Sequence, residues 1–440
     1  MKKLISVFTA LILIFFLAGC QSSEETTTDS KRTNGVTVIR MMTLSDWNSS
    51  LKKIVAQFEK ENPTIKVNLE TYPYEQLFEN TEVKLGSKSR TYDIITVDGP
   101  LVANYSVKDY LEPLNHYISP KEQRKAWIDS SIKEGTYKGK LMAAPMNTST
   151  QVLFYNKDIF SKRGVKPPEF NIKKRWTWDQ VVQAAKKLTY DTNGNRYPDV
   201  FGFSFEQVGR AYQNLALSDS LGANVISKDG LTTDGYLNSS KSVQAARFYY
   251  DLFNKWKVSP KITANESKEY FKTGKIAMFI GGTWNIKEFS DAKVNFGVAP
   301  HPYFKGHKVA TPTGSWHLGI SKFSTKKEAA AKFIRFLTIG KGAKMWFDIY
   351  QNVPDNRNLL QAINRDPSYD SFPKNVYRLA SYEVQHTASP RPITPGYLEF
   401  ENLYDRTFDD IKNGANPKNA LDQSSYKIDR LLEKYRHVVK

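Results

Sequence analysis

Val36-Thr37-Val38-Ile39-Arg40-Met41-Met42 opens the stretch of sequence that decides the fold class. This β-rich run predicts a strand, and the apolar residues between Leu51 and Phe58 then recur at i, i+3, i+4 and i+7, the spacing of one helix face. Asn62-Pro63 ends that helix, and the alternating apolar side chains of residues 65–69 predict a second strand. Strand, amphipathic helix and strand in succession indicate an α/β fold.

The next apolar run, residues 92–97, predicts a buried parallel strand and places Asp98 directly after its carboxyl end. Ligands of open α/β sheets bind at such ends, so this edge of the sheet is expected to carry the functional site. The alternative for Asp98-Gly99 is a simple turn, since both residue types are common in turns.

Cap residues predict three later helices. Thr177 with Gln180, and Thr325 with Glu328, have the spacing of a capping box, and each pair precedes an amphipathic run. Near the end of the chain, Asn416-Pro417 predicts the start of the last long helix.

Composition places the chain among folded, globular proteins. The sequence has 440 residues, of which 40% are hydrophobic, 13% aromatic and 25% charged. These values exclude a disordered chain and a multi-span membrane protein, and the length is enough for two or three domains. With 63 basic and 45 acidic side chains the net charge is +18, which by itself admits nucleic acid, an anionic membrane or a polyanionic cell wall as a neighbour.

The amino-terminal region predicts export and lipidation. Lys2 and Lys3 precede an apolar run over residues 4–18 that is too short to span a membrane comfortably, which is typical of a signal peptide in residues 1–19. The single cysteine, Cys20, follows a Leu-Ala-Gly tripeptide; this resembles the lipobox of bacterial lipoproteins and implies a diacylated Cys20. The alternative is an ordinary apolar residue of an anchor. One cysteine also excludes an intrachain disulfide framework and a multi-thiolate metal site.

Residues 21–35 contain no apolar side chain able to enter a core, so residues 20–35 are predicted to form a lipidated cysteine and flexible tether with a reach of roughly 20 Å. The predicted location is the extracytoplasmic face of the cell membrane, with attachment through lipid. ATP and nicotinamide cofactors are scarce there, so no cofactor is expected. An exported lipoprotein has no obvious nucleic-acid target either. Without residues 1–19 the charge is +16, which we interpret as adaptation to anionic surroundings.

Several blocks of the sequence resemble one family. They are Tyr92–Ile95, Val152–Phe160, Thr177–Asp179, Gly274–Trp284 and the closing Asn413–Leu421. Together they are similar to the extracellular solute-binding proteins of carbohydrate ABC transporters, the group that includes maltose-binding protein. The tyrosine-asparagine-lysine and glycine-lysine-x-alanine-methionine blocks are the most specific parts of the resemblance.

The resemblance implies a periplasmic-binding-protein-like fold, with two α/β lobes and a ligand cleft between them. By analogy lobe 1 takes residues 36–145 plus 299–345, and lobe 2 takes residues 146–298 plus 346–440. The resemblance further implies a monomer that closes around a carbohydrate, by preference an oligosaccharide, and delivers it to ABC permease subunits in the membrane. No enzymatic activity and no metal are expected.

A sugar presents hydroxyl edges and flat C–H faces, so its site needs aromatic platforms and paired polar side chains. Trp284 follows an apolar strand and two glycines, and in the family this position commonly stacks on a sugar ring. The alternatives are core packing for the tryptophans and the tyrosine, and a solvated surface charge for the arginine. The candidate ligand-binding residues are Trp47, Asp98, Asn147, Tyr155, Trp284, Trp316 and Arg391.

An extracytoplasmic carbohydrate-active enzyme and a binding protein for a non-sugar solute remain alternatives. A glycoside hydrolase needs two facing carboxylates, and a sequence with 45 acidic residues does not exclude such a pair. Ser49-x-x-Lys52 and Lys272-Thr273-Gly274 superficially resemble elements of penicillin-binding proteins, but no serine-aspartate-asparagine element accompanies them.

Two patterns bear on metal binding. Three histidines between residues 301 and 317 match no helical ligand spacing. Asp191-Thr192-Asn193-Gly194-Asn195 has oxygen atoms at alternate positions, as a calcium loop does, but Arg196 and Gly202 stand where that loop has glycine and glutamate. An Asx-rich turn is therefore predicted, with calcium as the alternative. The identity of the sugar stays open, from monosaccharides to uronate-containing chains.

Overall fold

The structure of the protein is a computed structural model that describes residues 35–439. The predicted signal peptide, the lipidation at Cys20 and the tether up to residue 34 lie outside the described residues. Between residues 35 and 439 the chain forms twelve β-strands and eighteen α-helices. The strands are β1 (Thr37–Leu44), β2 (Ile65–Tyr72), β3 (Ile94–Asp98), β4 (Leu111–Glu112), β5 (Thr136–Tyr137), β6 (Lys140–Leu141), β7 (Ala143–Asn156), β8 (Phe201–Phe205), β9 (Ile276–Gly282), β10 (Phe296–Ala299), β11 (Thr311–Ser321) and β12 (Ala388–Pro390).

The helices lie between the strands of the resulting sheet in sequence and after its last strand. They are α1 (Asn48–Glu61), α2 (Tyr74–Gly86), α3 (Leu101–Val107), α4 (Pro120–Ala126), α5 (Asp129–Glu134), α6 (Lys157–Lys162), α7 (Trp178–Leu188), α8 (Ala211–Ser220), α9 (Ser240–Asn254), α10 (Ala264–Lys272), α11 (Asn285–Asp291), α12 (Lys327–Thr338), α13 (Lys341–Tyr350), α14 (Arg357–Arg365), α15 (Val376–His386), α16 (Tyr397–Asn413), α17 (Pro417–Leu432) and α18 (Arg436–Val439).

The opening β1-α1-β2 unit confirms the prediction from periodicity. Helix α1 buries Leu51, Ile54, Val55 and Phe58, the apolar face that the spacing predicts. Strand β1 pairs in parallel with β2 along its whole length and with β3 at Met41. Parallel strands with a helical crossover are buried on both faces, which explains why β1 and β3 are apolar runs.

One strand belongs to both parts of the sheet. The sheet order is β2-β1-β3-β11-β7-β9-β8, with β10 also paired to β7. Residues 143–150 of β7 pair with β11, whereas residues 151–156 pair with β9 and β10. We call the part built on β1, β2 and β3 the first lobe, and the part built on β8, β9 and β10 the second lobe. The two α/β lobes confirm the expected fold class.

The three cap predictions had different outcomes. Thr177 and Gln180 form a reciprocal capping box at the start of α7, as predicted. The predicted box at Thr325 is wrong, because α12 begins at Lys327 with no side-chain cap on its preceding residue. There the hydroxyl of Ser324 accepts a hydrogen bond from a backbone N–H in the connecting turn instead.

The last long helix, α17, begins as predicted. The side chain of Asn416 accepts hydrogen bonds from the backbone N–H groups of Lys418 and Asn419, at 3.0 and 3.2 Å, and Pro417 occupies the first helical position. Proline is favoured there because that N–H would have no partner inside the helix. The cap and the proline together fix where this helix starts.

Residues 341–386 contact both lobes. In α13, Trp346 packs edge-on against Trp47 of the first lobe, with ring centroids 5.1 Å apart. The next residue, Phe347, shares a buried cluster with Phe154 of β7 and with α15. The expected boundaries of the lobes, including the one at residue 345, therefore stay predictions.

Most of the core lies between the helices and the two sheet faces, and its largest members are aromatic. Fully buried tryptophans include Trp47, Trp127, Trp178 and Trp346. Among residues 35–439, no helix is both long enough and apolar enough to cross a membrane.

Candidate functional site

A cavity of about 690 Å³ lies between the two lobes at the carboxyl end of β3. The first lobe contributes α2, the end of β3 and the middle of β11, and the second lobe contributes the start of α8, Trp284 two residues after β9, and one face of α16. The lining residues are Tyr74, Glu75, Phe78, Glu79, Glu82, Val83, Asp98, Ser149, Gln207, Arg210, Tyr212, Trp284, Gly314, Trp316, Arg391, Leu398, Glu401, Asn402 and Asp405.

An ion pair lies in the lining of this cavity. Arg391 donates from Nη1 and Nη2 to the two carboxylate oxygens of Asp98, at 2.7 and 2.5 Å. Both side chains are 6% exposed, so the alternative of a solvated arginine is wrong. Strand β12 pairs with β11 and so brings Arg391 to the cavity, where its guanidinium lies 5.3 Å from the ring centre of Tyr212. The sequence predicted these two partners separately, 293 residues apart.

The first-lobe wall of the cavity is aromatic. Trp316 is half-buried and lies parallel to Phe78, with ring centroids 6.3 Å apart, and Tyr74 approaches it edge-on at 6.1 Å. Trp47 lies behind this wall: it is 1% exposed and packs edge-on against Trp316 at 5.2 Å. In the cavity formed by the described residues Trp47 is therefore a support of the wall, not part of its lining.

The second-lobe wall carries Trp284, which follows β9. Its ring lies over Gly282, where a Cβ atom would come within 2.1 Å of a ring carbon. The indole Nε1 donates a 2.9 Å hydrogen bond to the buried carboxylate of Glu206. Tyr212 flanks the ring at 6.1 Å between centroids.

Two other candidates lie on β7, away from the lining. Asn147 is fully buried, and its side-chain oxygen accepts a 3.0 Å hydrogen bond from Trp346 Nε1. Tyr155 packs against Phe160 and covers Gly297, where a Cβ would lie 2.2 Å from the tyrosine ring. Of the seven candidates, the structure brings Asp98, Trp284, Trp316 and Arg391 together at the cavity and does not bring Trp47, Asn147 and Tyr155 to its surface.

Sequence reasoning missed several lining residues. Tyr74 and Phe78 are an i, i+4 aromatic pair near the start of α2, a spacing that places both rings on one helix face. Glu401 and Asp405 have the same spacing on α16 and could have been found in the same way. Arg210, next to the start of α8, carries no local signal.

The lining carries more negative than positive side chains, although the whole sequence is basic. Six carboxyl side chains and two arginines line the cavity, and Asp98 is already neutralised by Arg391. Burial, together with the nearby charge of Glu401, raises the pKa of Asp405 to about 7. Burial also raises the pKa of Glu401 itself. Carboxyl groups held close to protonation can both accept and donate hydrogen bonds.

The histidine and calcium-loop patterns form no site in the described residues. Burial lowers the pKa of His301 to about 3, and the ring of His317 bonds to the backbone oxygen of Ser131. The carboxylate of Asp191 accepts hydrogen bonds from backbone N–H groups of the same loop, as predicted for an Asx-rich turn. In the part of the chain that the structure describes, no group of three or more metal-ligating side chains is found.

Two α/β lobes that share a strand and enclose an aromatic-walled cleft define a two-lobed binding protein. Residues 43–339 match the family of bacterial extracellular solute-binding proteins, and the chain belongs to that family. The proteins of this family bind solutes, and their location is extracytoplasmic.

Three relatives cover nearly the whole chain. The galactooligosaccharide-binding protein of Bacillus subtilis is 26% identical, with 97% of this chain and 96% of the relative aligned. The maltodextrin-binding protein of Bacillus subtilis is 24% identical, with 91% of this chain and 90% of the relative aligned. An ABC substrate-binding protein of Listeria monocytogenes, solved in complex with cycloalternan, is similar in structure with a TM-score of 0.79, 26% identity and coverage of 90% and 99%.

Proposed function

We propose that the chain is the lipid-anchored substrate-binding protein of a carbohydrate ABC transporter, and that it captures an oligosaccharide in the interlobe cavity. The observation that carries this proposal is the pair of facing aromatic walls, Trp316 with Phe78 on one lobe and Trp284 with Tyr212 on the other. Aromatic faces on both sides suit the flat C–H faces of successive sugar rings. The ligands in the names of the three relatives support the same class.

Capture occurs by closure of the two lobes. A sugar that contacts the walls of both lobes binds the closed form more tightly, so binding shifts the open–closed equilibrium. The guanidinium of Arg210 already lies 5.7 Å from the ring centre of Tyr74 across the cavity. The closed form then delivers the sugar to the permease subunits in the membrane, and no bond in the sugar is broken.

Each sequence candidate receives a role in this proposal. Trp284 and Trp316 stack on sugar rings, and Asp98 holds Arg391 in place in the lining. Arg391 Nε is buried and has no hydrogen-bond partner among residues 35–439. The remaining candidates, Trp47, Asn147 and Tyr155, support the walls and the strand β7.

The charge of the lining favours a neutral sugar over a uronate. A uronate carboxylate would need a free cation; both terminal nitrogens of Arg391 are bonded to Asp98, so Arg210 is the one lining arginine that could meet it among the described residues. The carboxyl groups of Glu75 and Glu79 on α2 would repel it. Neutral hydroxyls instead find both donors and acceptors in this cavity.

The test is a calorimetric titration of the mature chain with maltotriose, galactotriose and trigalacturonate. We expect stoichiometric binding of a neutral trisaccharide, a raised melting temperature in its presence, and little binding of trigalacturonate. Chromatography of the same mixtures after incubation checks the rival function. Released mono- or disaccharide would support a carbohydrate-active enzyme. If none of the three trisaccharides binds, the proposed function of an oligosaccharide-binding protein is contradicted.

Export and anchoring rest on the sequence of residues 1–35 and on the family. Cys20→Ala should release the protein into the medium or leave it unprocessed, as cell fractionation and mass spectrometry of the amino terminus would detect. Retention of a processed C20A variant at the membrane would contradict the lipid anchor.

A further inference from the structure

Glu206 is a buried carboxylate directly behind the second-lobe wall. It follows β8, is 4% exposed, and does not belong to the lining of the cavity formed by the described residues. Its backbone is fixed on both sides: its N–H donates to Ile280 O at 2.8 Å, and its C=O accepts from the hydroxyl of Ser267 at 2.6 Å. The backbone from which the Glu206 side chain extends is therefore fixed in position.

The carboxylate of Glu206 uses its two oxygens on two different donors. Oε1 accepts from Trp284 Nε1 and Oε2 accepts from Gly282 N, both at 2.9 Å. A glutamine of the same shape has one oxygen and one NH2 group, so one of the two N–H donors would face another donor. Both hydrogen bonds together require the carboxylate.

Gly282 fixes the ring of Trp284 from the other direction. A Cβ atom at this position would lie 2.1 to 2.2 Å from three atoms of the ring, Cη2, Cζ2 and Cζ3. The six-membered part of the indole therefore lies against the bare backbone of β9, and its nitrogen edge lies against Glu206. The two contacts leave the ring little freedom to rotate.

Burial of Glu206 is unfavourable on its own, since it raises the pKa of the carboxyl group by disfavouring the charged form. The two hydrogen bonds offset part of this desolvation, because bonds to a charged acceptor are stronger than neutral ones. Because the buried carboxylate of Glu206 depends on these hydrogen bonds, it restricts the orientation of the Trp284 indole that donates one of them.

We propose that Glu206 is a positioning residue that holds the indole plane of Trp284 in place as a platform for the ligand. The inference rests on the proposed function, because the platform matters only if a sugar ring stacks on it. A preorganised side chain improves affinity because its rotamer freedom is not lost on binding. Loss of one ordered side chain corresponds to about 3- to 10-fold weaker binding.

A double-mutant cycle on the mature chain tests this role. The dissociation constants of maltotriose and galactotriose are measured by calorimetry for the wild type, E206Q, W284F and E206Q/W284F. We expect E206Q to weaken binding by about 3- to 10-fold in the wild-type background and to have no further effect in the W284F background, where no indole N–H remains. An equal loss in both backgrounds, or no loss in either, would overturn the positioning role.

A second measurement needs no ligand. The eight tryptophans are labelled with 5-fluorotryptophan, and the ¹⁹F resonance of Trp284 is assigned by its loss in W284F. E206Q should shift and broaden that resonance and leave the other seven unchanged, because Trp284 is the tryptophan whose indole N–H bonds to Glu206. An unchanged resonance overturns the inference. A shifted resonance in a protein that binds neither trisaccharide supports the positioning role and contradicts the sugar function.

If E206Q does not fold, E206D replaces it in both measurements. The shorter aspartate keeps the charge but falls short of Trp284 by one methylene. It should show the same ¹⁹F shift and the same background-dependent loss of affinity. A wild-type resonance and wild-type affinity in folded E206D would overturn the inference.

Discussion

The two walls of the cavity are held by different forces. Trp316 of the first lobe is supported by ring contacts with Trp47 and Phe78, whereas Trp284 of the second lobe is supported by a hydrogen bond to buried Glu206 and by the bare backbone at Gly282. Apolar packing is non-directional and scales with buried area. A hydrogen bond to a buried carboxylate fixes an orientation and is sensitive to any change of partner.

This difference suggests two separate consequences of mutation. Changes behind the first wall should act mainly on stability, because Trp47 belongs to an extended cluster of buried hydrophobic side chains. Changes behind the second wall should act mainly on affinity, because few core contacts depend on the exact plane of a half-buried indole. The following experiments test this contrast.

The largest effect is expected at the ion pair of Asp98 with Arg391. Asp98→Ala leaves the buried guanidinium of Arg391 without its carboxylate, which should lower the free energy of unfolding by about 3–5 kcal/mol. Urea denaturation of the unliganded protein measures this loss. The double variant D98L/R391M removes both charges and should lose less than D98A; an equal or larger loss would contradict the explanation by an unpaired buried charge.

Truncation of Trp47 should mainly reduce stability, whereas truncation of Trp284 should mainly reduce the affinity for the ligand. Trp47→Ala creates a cavity in the core and should cost about 3 kcal/mol of stability. Trp284→Ala leaves one oxygen of Glu206 without a donor and should cost only about 1–2 kcal/mol, but it should weaken oligosaccharide binding much more. Y426A is a suitable control, since Tyr426 is 64% exposed and far from both walls in sequence. A larger loss of stability in W284A than in W47A would contradict the proposed difference between the two walls.

Asp405 makes the second wall sensitive to pH. Its folded-state pKa of about 7 lies above the ordinary value of 3.8, so the folded state binds this proton more tightly than the unfolded state. Stability therefore falls as pH rises from about 4 to about 7 and is then constant with respect to this group. Asp405→Asn should leave stability nearly unchanged at pH 4 and raise it by about 2–4 kcal/mol at pH 8. Thermal melts of both proteins across this range measure the difference in stability. A gain in stability of D405N that is already complete at pH 4 would contradict the titration of Asp405 as its cause.

The smallest effect is expected where the walls face each other. Arg210→Gln removes the cation from the ring of Tyr74 and should weaken the closed form by about 0.5–1 kcal/mol, or roughly 2- to 5-fold in affinity. R406Q is a matched control, because Arg406 is exposed on α16 and does not line the cavity. Small-angle scattering of the unliganded variants should detect a larger radius for R210Q; an identical effect in R406Q would exclude the contact as its cause.

Local pattern predicted the elements of this fold better than it predicted the site. The helix face from Leu51 to Phe58 and the cap at Asn416 were predictable because their signals lie within one or two turns of chain. The pairing of Asp98 with Arg391 was not, since it depends on β12 joining β11 far along the sequence. The box at Thr325 failed because the helix begins two residues later, at Lys327, after a turn in which the hydroxyl of Ser324 accepts from the backbone N–H of Lys326.

The position of Trp47 shows a further limit of sequence reasoning. Trp47, three residues after β1, was predicted as a candidate ligand-binding residue, and it lies instead one layer deeper, where Trp316 and Trp346 enclose it. Sequence spacing places a residue near a strand end, but the depth of its side chain is decided by neighbours from distant parts of the chain. The same holds for Asn147 on β7, which bonds to Trp346.

Strand β7 also determines how the protein unfolds. Its 14 residues form a central strand of both lobes, with β11 as partner in one and β9 and β10 in the other. If either lobe unfolds, the other loses the end of a strand on which its own pairing depends. Separate domains joined by linkers melt independently, but these lobes share backbone and are expected to denature as one cooperative unit.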